Sequence, residues 1–303
     1  MSCETFIFGG TGLLGLNWIF KSTSDNLSTS IHKRNLIHKN VNTFKVKKID
    51  EKKILEIIDE VKPKIIINTI GMTSIEQCEK NKEQAFYTNV EIPRLIAKAS
   101  KERCIKFVHI STDHLFDGKK NFYTEECDTS PLNFYGKTKA EAEEKVLKEN
   151  KNSLVIRTNF YCWGPLYSKS FSDFIYEALF TNQKLNLFND VFYTPIKADE
   201  LKKNINLLVS KDSNGIFNIS SSKIISKYEF GWKLAEIFNL DKELIAKSSI
   251  VSRKDLIIRP KNMSLSNLKI KKELNISFNS LEKNLLSLKN ELNSEYYRQI
   301  KNI

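Results

Sequence analysis

Short runs of apolar residues alternate with amphipathic stretches through the first half of the chain. "TFIFGG", "KIIINTIG", "IKFVHIST" and "SLVIRTNF" are compact, β-branched or aromatic runs that predict buried strands of the parallel type. "LSTSIH" and "TFKVKKI" predict two shorter strands. Between them, "TGLLGLNWIFKST", "EKKILEIIDEV", "KEQAFYTNVEIPRLIAKASKE" and "YGKTKAEAEEKVLKEN" carry helical spacing, the third expected to bend or break near Pro93. Strand and helix in alternation predict an α/β fold. The expected form is a Rossmann-type, doubly wound parallel sheet with helices on both faces.

The chain has 303 residues, enough for one large domain or a domain with a smaller lobe. The reading is a nucleotide-binding Rossmann domain over 1–156. Residues 157–303 are mainly a substrate-binding lobe, with parts returning to the sheet. No apolar run is long enough to span a membrane, and "MSCETFIFGG" lacks the order of a signal peptide, so a cytoplasmic location is expected. Five scattered cysteines (Cys3, Cys78, Cys104, Cys127 and Cys162) form no CxxC pair, which predicts reduced thiols and no zinc site. The net charge of +12 comes mostly from scattered lysines in a chain also rich in Asn and Ile. Without an Arg-rich stripe or basic–aromatic alternation it does not predict a nucleic-acid partner. A positive surface field suits a small anionic ligand better.

Two motifs carry chemistry. In "GGTGLLG", Gly9, Gly12 and Gly15 follow the first strand and open a helix. A sharp turn there lets backbone N–H groups approach a pyrophosphate. Plain turn glycines are the competing reading. The second motif is Tyr135 and Lys139, four residues apart and so on one helical face. An ammonium beside a phenol would favour the phenolate, lower the tyrosine pKa and let it exchange protons near neutrality. An exposed helical pair is the plainer reading. It weakens because Ser111 and Thr112 place hydroxyls at the end of a parallel strand, where such sheets bind ligands.

These residues resemble the extended branch of the short-chain dehydrogenase/reductase superfamily and, within it, the dTDP-4-dehydrorhamnose reductases. "STDHLFDG", "SPLNFYGKTKAEAE", "FNDVFYTPIKADELKKNI", "GIFNISSSKIISKYEFGWKLAEIF" and "IIRPKNMSLSNLKI" all parallel that family's segments. The resemblance implies NADPH-dependent reduction of the 4-keto group of a nucleotide-linked 6-deoxy sugar in dTDP-rhamnose and polysaccharide biosynthesis, with NADH left open. By position it makes Thr112, rather than Ser111, the catalytic hydroxyl. Tyr135 becomes the proton donor, and Lys139 the residue that holds the nicotinamide ribose and tunes the tyrosine. It places Gly9, Thr11, Gly12, Leu13 and Leu14 at the pyrophosphate and Asn68, Ile70 and Gly71 beneath the cofactor. Asp50 falls near the adenine, although a helix N-cap explains it equally. Thr73, His114, Phe160 and Arg259 fall on the substrate side, Arg259 toward phosphate.

The chain also departs from the family. His114 replaces an aromatic residue and could instead face solvent. Phe160, Tyr161 and Trp163 compete for one stacking position. Arg259 could simply pair with a surface carboxylate. No cluster of carboxylates predicts a metal, and a homodimer is left open. The second strand ends in "LSTSIH" followed by "KRN", without the acid that selects NAD. Lys33 and Arg34 stand there instead and would attract a 2′-phosphate, unless they are only solvated loop charges. Two alternatives to the reductase remain: another nucleotide-sugar epimerase or dehydratase, and a non-catalytic regulatory subunit of the methionine adenosyltransferase beta type.

Overall fold

The computed structural model describes residues 4–22 and 26–303; Cys3 and Thr23 lie outside them. The first half contains β1 (Thr5–Phe8), α1 (Leu13–Phe20), β2 (Leu27–Ile31), β3 (Val41–Lys45), α2 (Glu51–Val61) and β4 (Ile65–Asn68). It continues with α3 (Ile75–Lys80), α4 (Lys82–Phe86), α5 (Ile92–Glu102), β5 (Lys106–Ile110), α6 (Phe134–Glu149) and β6 (Leu154–Arg157). The second half adds β7 (Phe160–Tyr161), α7 (Phe171–Phe180), β8 (Leu185–Phe188), β9 (Phe192–Tyr193) and β10 (Ile196–Lys197). After these come α8 (Ala198–Ser210), β11 (Gly215–Asn218), β12 (Ile225–Ser226) and α9 (Lys227–Phe238).

Among the described residues the central sheet has the order β11-β6-β5-β4-β1-β2-β3, and every neighbouring pair is parallel. The chain winds outward from β1 to β3, then crosses back to place β4 on the other side of β1. The direction reverses between β1 and β4, and in such sheets a crevice opens there at the carboxyl ends of the strands. Alternation along the strands covers both faces. Phe6, Phe8, Ile66, Phe107 and Val155 pack on the side of Ile54, Ile58 and Ile96. Ile7, Ile67, Val108 and Ile156 face the side that holds Leu16, Trp163, Leu201 and Leu285. Each such fully buried side chain contributes about 1.5–3 kcal/mol, so the strands are fixed where the site needs them.

One element differs from the sequence reading and a second sharpens it. The third strand was expected over 43–49 but pairs with β2 only over Val41–Lys45. β2 itself ends at Ile31, and Lys47, Lys48 and Ile49 swing into the crevice wall. The long helix over 82–102 breaks as expected near Pro93, in a specific way. A π-helical turn, Tyr87–Glu91, joins α4 to α5, with the Ile92 N–H bonded to the Tyr87 carbonyl. Pro93 has no N–H to offer Asn89, so the ladder widens just before it.

Candidate active site

The turn after β1 is built for close approach. Gly9 has φ +97, and a Cβ there would lie 2.8 Å from Thr69 Oγ1; a Cβ on Gly15 would lie 2.3 Å from the Gly9 carbonyl oxygen. The first position therefore needs a left-handed conformation, and Gly15 lets α1 pack against the turn. Gly12 caps α1 without any side-chain hydrogen bond, so the first-turn N–H groups are left for an anion. Leu14 is buried and Leu13 packs on the core, so at both positions the backbone is what remains for a ligand. A cleft of about 850 Å³ beside the turn is lined by Gly9, Thr11, Ser30, His32, Ile70 and Tyr87 among others. Ser30 Oγ accepts from the Gly9 N–H at 3.1 Å. Turn, bare helix end and cleft together fit a dinucleotide.

Arg34 does not hang free. Its guanidinium lies 3.6 Å from the Tyr167 ring centre, and the Tyr167 hydroxyl donates to the Thr11 carbonyl at 2.8 Å. Lys33 is exposed. Lys47 and Lys48 line the cleft and were not singled out from the sequence, being two lysines in a lysine-rich chain. Asp50 is the N-cap of α2, accepting from the Lys53 N–H at 3.0 Å. Asn68 is fully buried; its Oδ1 accepts from the Ile70 N–H at 3.1 Å, and its Nδ2 lies 3.2 Å from His109 Nδ1. Gly71 is exposed, with room for a side chain. Asn89, missed in the sequence, holds this loop: it bonds Met72 through both main-chain groups and donates to Thr138 Oγ1 on α6.

Thr112 and Tyr135 meet at the end of β5, where the threonine hydroxyl also donates to Asp113 Oδ1 at 3.4 Å and accepts from the His114 N–H at 3.3 Å. Asn133 caps α6 through the Gly136 N–H at 2.9 Å, which starts the helix at the tyrosine. A Cβ on Gly136 would lie 2.4 Å from the His114 carbonyl, so the glycine after Tyr135 lets the helix close on the strand-end loop. Lys139 is placed differently from expectation. Its ammonium donates to the Ile110 carbonyl at 2.7 Å and lies 3.2 Å from His109 Nε2. The expected lowering of the tyrosine pKa is corrected accordingly. Burial pushes the Tyr135 phenol well above its usual range, and only the Thr112 hydrogen bond pulls the other way. Lys139 is itself lowered to about 8 by burial. Below it Glu143 binds Arg157 through two nitrogens and accepts from Ser111 Oγ, so Ser111 serves the scaffold.

On the substrate side the residues separate. His114 stacks edge-on to Tyr135 with ring centres 5.7 Å apart. Burial, followed by the Lys227 and Arg259 charges, lowers its pKa to about 3, so the ring is neutral. Arg259 pairs with Glu76, a half-exposed carboxylate, as the plainer reading allowed. Thr73 is exposed in the loop before α3. Tyr161 and Trp163 are buried, the indole donating to the Leu288 carbonyl at 2.9 Å, while Phe160 is only half-buried.

Residues 3–294 match the family described as RmlD substrate binding domain. The chain is similar to a probable low-salt glycan biosynthesis reductase of Haloferax volcanii, 29% identical over 77% of this chain and 79% of that one. It is also similar to the methionine adenosyltransferase 2 subunit beta of Xenopus laevis, 28% identical over 63% of this chain and 60% of that one. Its fold superposes on a dTDP-4-dehydrorhamnose reductase from Bacillus anthracis in complex with NADP. There the TM-score is 0.84 and the identity 22%, covering 96% of this chain and 100% of that one. With nearly its whole length inside one family, the chain belongs to the RmlD substrate-binding-domain family, an extended short-chain dehydrogenase/reductase family of NAD(P)H-dependent oxidoreductases.

Proposed function

We propose that this protein uses NADPH to reduce the 4-keto group of a nucleotide-linked 6-deoxy sugar. The observation that carries the reading is the Thr112–Tyr135 pair, a buried hydroxyl and phenol at the end of β5. β5 borders β4 in the sheet, and the glycine-turn crevice opens beside β4. When bound, the reduced nicotinamide supplies the hydride. The residues of the chain handle the oxygen. Thr112 donates to the carbonyl oxygen and holds it as charge develops, an interaction stronger in the transition state than in the ground state. Tyr135 gives its phenolic proton to the forming alkoxide. Its raised pKa keeps the phenol protonated at rest, the form a donor needs. Lys139 stands one helical turn away as the cation available to the tyrosinate left behind and to a cofactor ribose. Lys33, Arg34, Lys47 and Lys48 supply positive charge around the adenosine end, which favours a 2′-phosphate. The family match and the reductase among the similar proteins support the substrate class.

The similarity to a methionine adenosyltransferase subunit supports a second, non-catalytic reading. The intact set of Thr112, Tyr135 and Lys139 favours the reductase. Incubation with dTDP-4-keto-6-deoxy sugars, followed by NADPH absorbance, separates the two. Turnover is expected, and Tyr135→Phe should lower it by about 10²–10⁴-fold with NADPH affinity unchanged. Near-normal turnover in that variant contradicts the assignment of the proton donor, and no turnover by the wild type favours the binding role.

A further inference from the structure

Lys227 opens α9, and none of the roles above uses it beyond its charge. The helix is capped by its neighbours: Ser226 accepts from the Glu229 N–H at 3.0 Å, and Glu229 accepts from the Ser226 N–H at 2.7 Å. The Lys227 N–H bonds to the Val191 carbonyl at 3.0 Å. Its side chain is therefore free of capping duty. It is half-buried, with the ammonium 3.4 Å from the Tyr193 ring centre and 4.7 Å from that of Phe171. Among the described residues no hydrogen bond or ion pair reaches that ammonium. Two aromatic faces hold the cation while its N–H donors stay unspent.

The surroundings locate it. Its charge acts on Asp113 and on His114, the two residues that follow the catalytic Thr112. Asp113 is buried and already accepts from Asn159 Nδ2 at 2.8 Å, so it does not need the lysine as a bonded partner. His114 Nδ1 and the Tyr193 hydroxyl are both buried without hydrogen-bond partners. Two buried polar groups with unmet bonding, and beside them a half-buried ammonium with none, thus stand around the strand end where the carbonyl is reduced. Buried polar groups are nearly always satisfied, and exceptions point to a missing partner. Arg259, also half-buried, is instead ion-paired with Glu76.

We propose that Lys227 is a specificity-determining residue whose ammonium donates hydrogen bonds to oxygen substituents of the sugar ring beside the reacting carbonyl. This rests on the nucleotide-sugar reading above. The test is calorimetric titration of the cofactor-free protein with dTDP and with dTDP-rhamnose, a product that has no oxidant there and so does not turn over. Lys227→Met should weaken dTDP-rhamnose binding by about 10- to 100-fold, the range for a lost hydrogen bond to a charged group. dTDP and NADP⁺ affinities should be unchanged, and Lys227→Arg should recover most of the loss. In turnover, KM for the sugar should rise far more than kcat falls. If Lys227→Met does not fold, Lys227→Gln, which keeps a donor and much of the stem, should show the same selective loss in smaller measure. Equal weakening of dTDP and dTDP-rhamnose would move the contact to the diphosphate and overturn the proposal. So would unchanged binding of both. A wild-type protein that binds neither ligand removes the nucleotide-sugar reading itself, and this proposal with it.

Discussion

Two turns of α6 treat buried charge in opposite ways. Toward its middle, Glu143 and Arg157 are both almost wholly inaccessible and satisfy one another, with Arg157 Nη2 2.8 Å and Nε 3.0 Å from Glu143 Oε2. Ser111 Oγ adds a third contact, so one cluster ties α6 to β6 and to the end of β5. One turn earlier, Lys139 is equally buried, yet among the described residues no carboxylate stands within ion-pair distance, and a carbonyl and an imidazole are its partners. Asp113 and Lys227 beyond it are buried or half-buried, and no ion-pair contact joins them either. A paired ion holds elements in place. An unpaired one is kept at a cost to stability, and that cost is sensible only where a ligand completes the bonding.

The contrast can be broken by mutation. Arg157→Met leaves Glu143 buried and charged without its cation, and urea unfolding should show a loss of about 3–5 kcal/mol. Replacing Glu143 by Met as well should restore most of it, because the pair itself is close to neutral against a packed apolar pair. A mild single mutant would mean the cluster is not what holds α6. A smaller effect is expected at the far edge of the cleft. Removing Lys33 and Arg34 together should raise KM for NADPH about tenfold relative to NADH, about 1.4 kcal/mol. Arg34→Ala alone should carry most of this, since both side chains are exposed but only Arg34 is held in place, over the Tyr167 ring. An equal change for both cofactors would assign Arg34 to the loop's packing instead. Smaller again, Asp50→Ala removes an N-cap, and the loss should be about 1 kcal/mol. NADPH affinity should stay within about twofold on the same scale; a larger drop would show that the carboxylate also meets the adenine.

Much of the scaffold was legible because it is local. The β-branched runs, the glycine turn and the capping pattern around Tyr135 are each written in a few consecutive residues. The site was legible as a set of residue types, not as a set of contacts. Tyr135 and Lys139 share a helical face, but whether the ammonium turns toward the phenol depends on His109 and Ile110, which lie about thirty residues away. The direction of the tyrosine pKa was misread for the same reason: periodicity shows a neighbour, whereas burial comes from the tertiary packing of Ile75, Cys78 and Ala85. Asn89 gave no signal, since its partners Met72 and Thr138 come from two other segments. Lys227 sat inside a recognised segment at a position no pattern claims.

The stability of Lys139→Met at neutral pH tests the contrast most directly. In the fold the ammonium titrates at about 8, below its ordinary 10.5, so the folded chain holds that proton more weakly than the unfolded chain does. The contribution of Lys139 to stability is therefore complete above 10.5 and lost as pH falls through about 8. At pH 7 the charge is a burden, and Lys139→Met should stabilise the cofactor-free protein by about 1–3 kcal/mol in urea unfolding. The gain should shrink as pH rises toward the unfolded value, and the same variant should lose NADPH affinity and turnover. If Lys139→Met is instead destabilised at pH 7 as Arg157→Met should be, the ammonium belongs to the scaffold, and the division between paired and unpaired charge does not hold.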